Sequence, residues 1–219
     1  MINLRFALPV AAALLAFSGA ANAVIIAGVY NTGVGNGMAL AQGDGVVDPH
    51  YTITQTNEAN VMVGNSALTY YNAAYLQDGP LSRIVNATGD GTGAAGTTTT
   101  FTTTFNLTGY NASNATISGQ ALFDNSGEIF LNGNQVGGTI TGFNTLTPFG
   151  TNANFFNAGI NTLSFVLHNA GGPEAFQVAG LTVTAESTVP EPATWGLMMV
   201  GFAMVGAGMR RRAVTSVTA

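Results

Sequence analysis

Residues 97–107 read Thr-Thr-Thr-Thr-Phe-Thr-Thr-Thr-Phe-Asn-Leu. Phe101, Thr103, Phe105 and Leu107 fall in one phase, and Thr100, Thr102 and Thr104 in the other. A helix would scatter this set around its axis, whereas a strand sorts it onto two faces, one for a core and one for solvent. Threonine is β-branched and suits a solvated sheet face. The same period of two recurs in 51–56 and in 115–123, where Ile117, Ala121 and Phe123 point inward. It appears again in 161–168, with Leu163, Phe165 and Leu167 inward and His168 outward, and in 175–185, with Phe176, Val178, Leu181 and Val183 inward. Turn residues separate these runs at Gly43-Asp44-Gly45, Asp48-Pro49 and Asp124-Asn125-Ser126-Gly127. Asn132-Gly133 is a two-residue hairpin signal between a strand at 128–131 and its return from Gln135. No amphipathic helix of ten residues interrupts the pattern, although 59–75 leaves room for a short helical turn. Many short antiparallel strands with Gly and Asn turns predict an all-β domain, a β-sandwich.

The two ends are of another kind. Arg5 followed by an apolar stretch at 6–17 and by Ala21-Asn22-Ala23 has the layout of a signal peptide, 1–23, with Val24 as the mature start and signal peptidase as the processing partner. An uncleaved anchor is the alternative, disfavoured by the short apolar stretch. At the other end, Pro190-Glu191-Pro192 precedes an uncharged run at 193–209, then Arg210-Arg211-Arg212 and a short tail, 213–219. Seventeen residues of helix cover about 25 Å, less than the ~30 Å hydrocarbon core. Snorkelling arginines and an interfacial Trp195 narrow the gap, so a C-terminal transmembrane helix is expected, with the arginines cytoplasmic and the triplet outside. Three adjacent arginines argue against the alternative of a buried core helix. Residues 24–188 are then the exported ectodomain, anchored in the inner membrane until processed.

That ectodomain has no cysteine and no lysine; nine carboxylates face the single arginine Arg83, a net charge of −8. Without disulfides its stability must come from its core or from bound ions. Such a surface excludes nucleic acid as a partner.

Pro190-Glu191-Pro192, the following Trp195-Gly196-Leu197-Met198-Met199 and Arg210-Arg211-Arg212 resemble the PEP-CTERM sorting signal of Gram-negative bacteria. The resemblance covers 189–212 and implies that a membrane transpeptidase-like enzyme, exosortase, recognises and processes the tail through these residues. The protein would then pass from the membrane to the cell surface or the extracellular space. A second resemblance lies in Phe105-Asn106-Leu107-Thr108-Gly109, Gly119-Gln120-Ala121-Leu122-Phe123-Asp124-Asn125, Ile129-Phe130-Leu131-Asn132-Gly133, Ala158-Gly159-Ile160-Asn161-Thr162-Leu163 and His168-Asn169-Ala170-Gly171-Gly172-Pro173. This series is similar to galactose-binding-like jelly rolls over 97–185. Tyr51, Phe123 and Phe176 are expected to be core aromatics rather than a ligand platform.

Catalytic patterns are sparse. His50 and His168 stand alone, without H-x-x-H or H-E-x-x-H spacing, and there is no cysteine nucleophile. Asp124 and Glu128 flank the 124–127 segment as solubilising charges. Asp44 and Asp48 place two carboxylates in a Gly-rich loop that suits a hard cation, so a structural calcium is the candidate cofactor, against simple turn acids. Four Asn-x-Ser/Thr sequons, at Asn86, Asn106, Asn111 and Asn114, match chance expectation in an Asn- and Thr-rich chain. The expected function is non-catalytic: a sorted surface or matrix protein that associates with extracellular polysaccharide in a biofilm-like matrix. A secreted carbohydrate-active enzyme and a purely structural matrix protein are the alternatives.

Overall fold

The computed structural model describes residues 22–76, 78–189 and 192–214. They fall into two units that part between Val189 and Pro190. The expected signal peptide, including Ala21, and Pro190 and Glu191 of the triplet lie outside the described residues.

The larger unit is all β. Its strands in chain order are β1 (Ala23–Ile25), β2 (Val34–Gly35), β3 (Met38–Ala39), β4 (Val47–Thr56), β5 (Ser66–Thr69), β6 (Val85–Asn86), β7 (Thr97–Asn106), β8 (Tyr110–Leu131), β9 (Asn134–Gln135), β10 (Ile140–Thr151), β11 (Ile160–Asn169) and β12 (Ala175–Ser187). β2 and β3 form a small separate ribbon. The others form one antiparallel sheet in the order β1-β12-β6-β5-β4-β7-β11-β8-β10. Because β12 also pairs with β8, the path from β12 through β6, β5, β4, β7 and β11 to β8 closes on itself. A sheet that closes in this way has a barrel- or sandwich-like form and few exposed edges. The closure is narrow at one seam, where β12 meets β6 through Phe176 and Val85 alone.

The period-two reading of β7 holds on its inner face: Phe101, Thr103, Phe105 and Leu107 are buried, and across the register Phe101 faces Phe165 of β11. On the other face Thr104 is exposed, but Thr100 is 8% exposed, because β4 pairs alongside β7 there and Thr54 donates to the Thr100 carbonyl. The inward sets of β8, β11 and β12 are buried as expected.

Two expected turns are strand instead. Asp124-Asn125-Ser126-Gly127 lies inside β8, which runs for 22 residues. At this point β8 passes from β12 (Asp124 opposite Ala175) to β11 (Ser126 opposite His168), while β10 pairs along its other edge, so its backbone stays extended. Gly127 is required here by space: a Cβ would lie 2.2 Å from the Phe123 ring. Asp48-Pro49 sits in β4, with Asp48 turned inward to accept hydrogen bonds from Gly33 N (2.6 Å) and His50 N (2.8 Å). No helix is found among the described residues of 59–75, where β5 forms.

The Asn132-Gly133 hairpin is present, with positive φ at both residues (50° and 81°) and Leu131 opposite Asn134. Its Asn132 side chain donates to Asn161 Oδ1 at 2.8 Å, and buried Asn161 returns bonds to the Asn157 and Gly159 carbonyls at 2.9 Å. The two short motifs at 131–133 and 158–163 are thus halves of one polar lock.

The smaller unit contains helix α1 (Pro192–Val214). Among the described residues, no helix is long and apolar enough to cross a membrane. This corrects the expected transmembrane helix at 193–209.

Candidate functional site

The chain offers three places where chemistry gathers. The first is the end of the β domain. β12 stops at Ser187, opposite Tyr110, and Thr188 is pinned by its N–H and its hydroxyl to the Gly109 carbonyl, both at 2.9 Å. The domain's first strand is paired to the same strand: Ala23 lies opposite Glu186 and Ile25 opposite Thr184. The folded body therefore runs from the expected signal-peptidase site to the residue before the sorting segment. In α1, Trp195 is 52% exposed and Arg210 is exposed. Arg211 and Arg212 follow it in the last turns of the helix, and Pro192 stands at its first position, where a proline has no hydrogen bond to lose.

The second is a groove of about 340 Å³ over β4 and β7, lined by Gly28, Tyr30, Pro49, His50, Thr52 and Thr102–104. The Tyr30 and His50 rings stack at 3.6 Å and 5°. Burial lowers the His50 pKa, which favours the neutral ring, and its Nε2 is buried with no hydrogen-bond partner among the described residues. Thr52 and Thr102 face one another across the strand pair. No charged side chain lines this groove, so it offers hydroxyls and aromatic edges to a neutral, hydroxyl-bearing ligand.

The third is a set of acids, exposed at Asp44 and buried at Asp48 and Asp124. Asp44 accepts from Tyr71 N at 2.7 Å, and Asp48 is committed to Gly33 and His50. The two carboxylates of the expected calcium loop thus each satisfy their own backbone amides. No group of three or more His, Cys, Asp and Glu side chains gathers among the described residues. Burial pushes Asp48 up to about 6, with its backbone bonds opposing. Asp124 is not a surface charge but accepts a buried hydrogen bond from the Tyr75 hydroxyl. His168 does point outward, bonded to Glu128 at 2.6 Å and Thr98 at 3.0 Å.

The pair that sequence reasoning missed is Glu58 and Glu174. They lie more than a hundred residues apart, and no spacing announces them. Their carboxyl groups meet inside the domain, and Glu174 is held well above the usual glutamate range, by burial first and then by Glu58. Asp48 and Glu174 are both raised, so the folded state binds these protons more tightly than the unfolded chain does. Their contribution to stability is therefore complete below about pH 4 and lost as pH rises, through about 6 for Asp48 and further up for Glu174. In metal-free buffer, urea-unfolding free energies are expected to fall between pH 5 and 8. Glu174→Gln should flatten the upper half of that fall, which can reach about 1.4 kcal/mol per pH unit. Stability that rises across this range would refute the assignment.

Comparison with known proteins adds little to the β domain. The chain is similar to the β-D-glucuronidase of Dictyoglomus thermophilum at 14% identity and TM-score 0.32, over 68% of this chain and 29% of that one. It thus spans less than a third of that enzyme's length. No curated protein matches it. The tail is different: a family model described as the PEP-CTERM protein-sorting motif matches residues 188–212, from the last pinned residue of the domain to the last arginine. The chain therefore carries a PEP-CTERM protein-sorting motif, the mark of an exosortase-sorted surface protein.

Proposed function

We propose that this is an exported protein whose β domain is delivered to the cell surface or the extracellular matrix by exosortase and works there without catalysis, by holding polysaccharide. The observation that carries the reading is the position of the motif. It begins where the last strand is tied off at Thr188, so the domain is complete without it and the tail is free to serve as an address. The net charge of −8 and the lack of lysine keep such a domain off anionic surfaces and nucleic acid.

The groove over β4 and β7 is the contact surface in this reading. Its threonine hydroxyls and the stacked rings of Tyr30 and His50 match the hydroxyls and apolar faces of neutral sugars. A non-catalytic role is supported by the acids themselves: Glu58 and Glu174 are sealed from solvent, where a glycosidic bond cannot reach them. Affinity electrophoresis of the purified chain through neutral and acidic polysaccharides tests this. Retardation by a neutral polymer is expected, with most of it lost in His50→Ala and Thr104→Ala. Equal migration in every gel would leave the purely structural role, and release of reducing sugar would make it an enzyme.

A further inference from the structure

We infer that the Asp48–Pro49 peptide bond is a self-cleavage site, at which the Asp48 carboxyl attacks its own backbone carbonyl carbon and releases Pro49 as a new amino terminus. The inference goes beyond the surface-protein reading and does not depend on it. This is the one Asp-Pro sequence in the chain. Asp48 is fully buried, while Pro49 is exposed and lines the groove over β4 and β7. Asp48 Oδ1 accepts from His50 N at 2.8 Å, and that bond closes a ring containing the Asp48 carbonyl carbon and the Pro49 nitrogen. The carboxyl is thereby folded over the bond it attacks, and Gly33 N, 2.6 Å from Oδ2, holds its other oxygen. The sheet leaves this bond room to distort: the register of β4 against β5 slips between Val47 and Thr52, and pairing with β7 starts only at Thr52. Pro49 has no N–H, so no ladder hydrogen bond ties down the leaving nitrogen.

An aspartyl side chain reaches its own carbonyl carbon through a five-membered ring, and a carboxyl held in place makes the attack a favourable unimolecular step. One carboxyl oxygen adds to the carbonyl carbon, the acid proton passes to the Pro49 nitrogen, and the C–N bond breaks. The product on Asp48 is a cyclic anhydride, which a water entering through the groove opens to two carboxyls. The net change is one water consumed and one peptide bond hydrolysed; nothing is oxidised or reduced. The tertiary amide nitrogen of proline suits this departure, because it leaves as a secondary amine that takes the proton readily. Burial, which holds Asp48 at about 6, keeps that proton available in mildly acidic surroundings. Asp48 forms no salt bridge among the described residues, burial favours the neutral His50 ring beside it, and burial first and then Asp48 hold the Tyr51 hydroxyl well above the usual tyrosine range. The nick leaves the fold assembled, since the segment before it is tied to β12. Ile26 N donates to the Val183 carbonyl at 2.8 Å, Leu181 N to Asn31 Oδ1 at 2.8 Å and Val178 N to Thr32 Oγ1 at 2.9 Å.

Incubation of the purified full chain at pH 5.5, followed by a denaturing gel and intact mass, provides the test. Two fragments are expected, one ending at Asp48 and one beginning at Pro49, with masses that sum to the intact chain plus one water. The rate should be unchanged on dilution, which marks an intramolecular step. It should also exceed, by about tenfold or more, the rate of the same chain unfolded in urea at the same pH, because only the folded chain positions the carboxyl. Asp48→Asn and Pro49→Ala should each slow cleavage by about tenfold or more. Pro49→Ala keeps the Asp48 carboxyl and both of its amide hydrogen bonds, so it decides the matter if Asp48→Asn fails to fold. The proposal is overturned by a wild-type chain that stays intact over days, by a rate that falls on dilution, or by equal cleavage of the folded and unfolded chains, which would be ordinary lability of the bond. Cleavage of Pro49→Ala at the wild-type rate would overturn it as well.

Discussion

The triple variant P190A/E191A/P192A is expected to accumulate as the unprocessed precursor in a host that carries an exosortase, with near-complete loss of the mature form from the cell surface and medium. The expectation rests on accessibility and on identity together. Prolines at 190 and 192 forbid a continuous strand or helix across the triplet, and the chain immediately before it is anchored at Thr188. A processing enzyme is therefore expected to read a proline-flanked triplet with the glutamate as its one charge. Alanines would let α1 extend backward and remove that charge. R210A/R211A/R212A should also cause accumulation, because the three arginines form the basic end of the matched motif. The readout is an immunoblot of cell and medium fractions with an antibody to the β domain. Folding of that domain is the internal control, because both changes lie in the smaller unit. Processing of both variants at the wild-type rate would remove the motif from any role in sorting.

Much of the β domain was legible because burial in a sheet repeats every second residue. In β7, β11 and β12 the alternation of Phe and Leu with Thr, Ser and Val named the inner face residue by residue. Asn132-Gly133 was legible because two consecutive positive-φ positions admit few other residues. What misled was local polarity read without partners. Asp124-Asn125-Ser126-Gly127 has turn composition, yet three neighbouring strands hold it extended, and this long-range pairing leaves no local trace. Asp48 looked like a loop ligand because it follows Asp44 in a Gly-rich segment; here two amides draw it inward. The Glu58–Glu174 contact was invisible for the same reason in stronger form, since it exists only once the ends of β4 and β12 are brought together. The groove over β4 and β7 combines residues from three separate stretches, none of which carries a recognisable motif. At the carboxyl terminus the motif was plain from order alone, and the run at 193–209 already fell short of the ~30 Å hydrocarbon core, so only snorkelling arginines and Trp195 supported a span.

Phe176→Ala is expected to be the most damaging single change in the β domain. The Phe176 ring is fully buried, with centroids 4.7 Å from Phe101, 5.7 Å from Phe165, 5.9 Å from Phe123 and 6.0 Å from Tyr51. Those partners sit on β7, β11, β8 and β4, so one side chain ties β12 to four other strands. Its backbone also forms the lone pairing that joins β12 to β6 and closes the sheet. Removing a buried phenyl costs about 3–5 kcal/mol, from lost transfer energy and from a cavity that a closed sheet is poorly able to collapse around. A domain of this size has ~5–15 kcal/mol in all, and its midpoint moves by ~2–4 °C per kcal/mol, so a fall on the order of 10 °C is expected. Phe176→Leu keeps most of the volume and should lose less than half as much. The measurement needs a signal from the sheet. The single tryptophan, Trp195, belongs to the α1 unit, so its fluorescence would report the wrong part of the chain. Far-ultraviolet dichroism followed through the strand band avoids this. A loss below about 1 kcal/mol in Phe176→Ala would mean that the aromatic cluster is not the centre of the core and that the sheet is held together along its outer pairings instead.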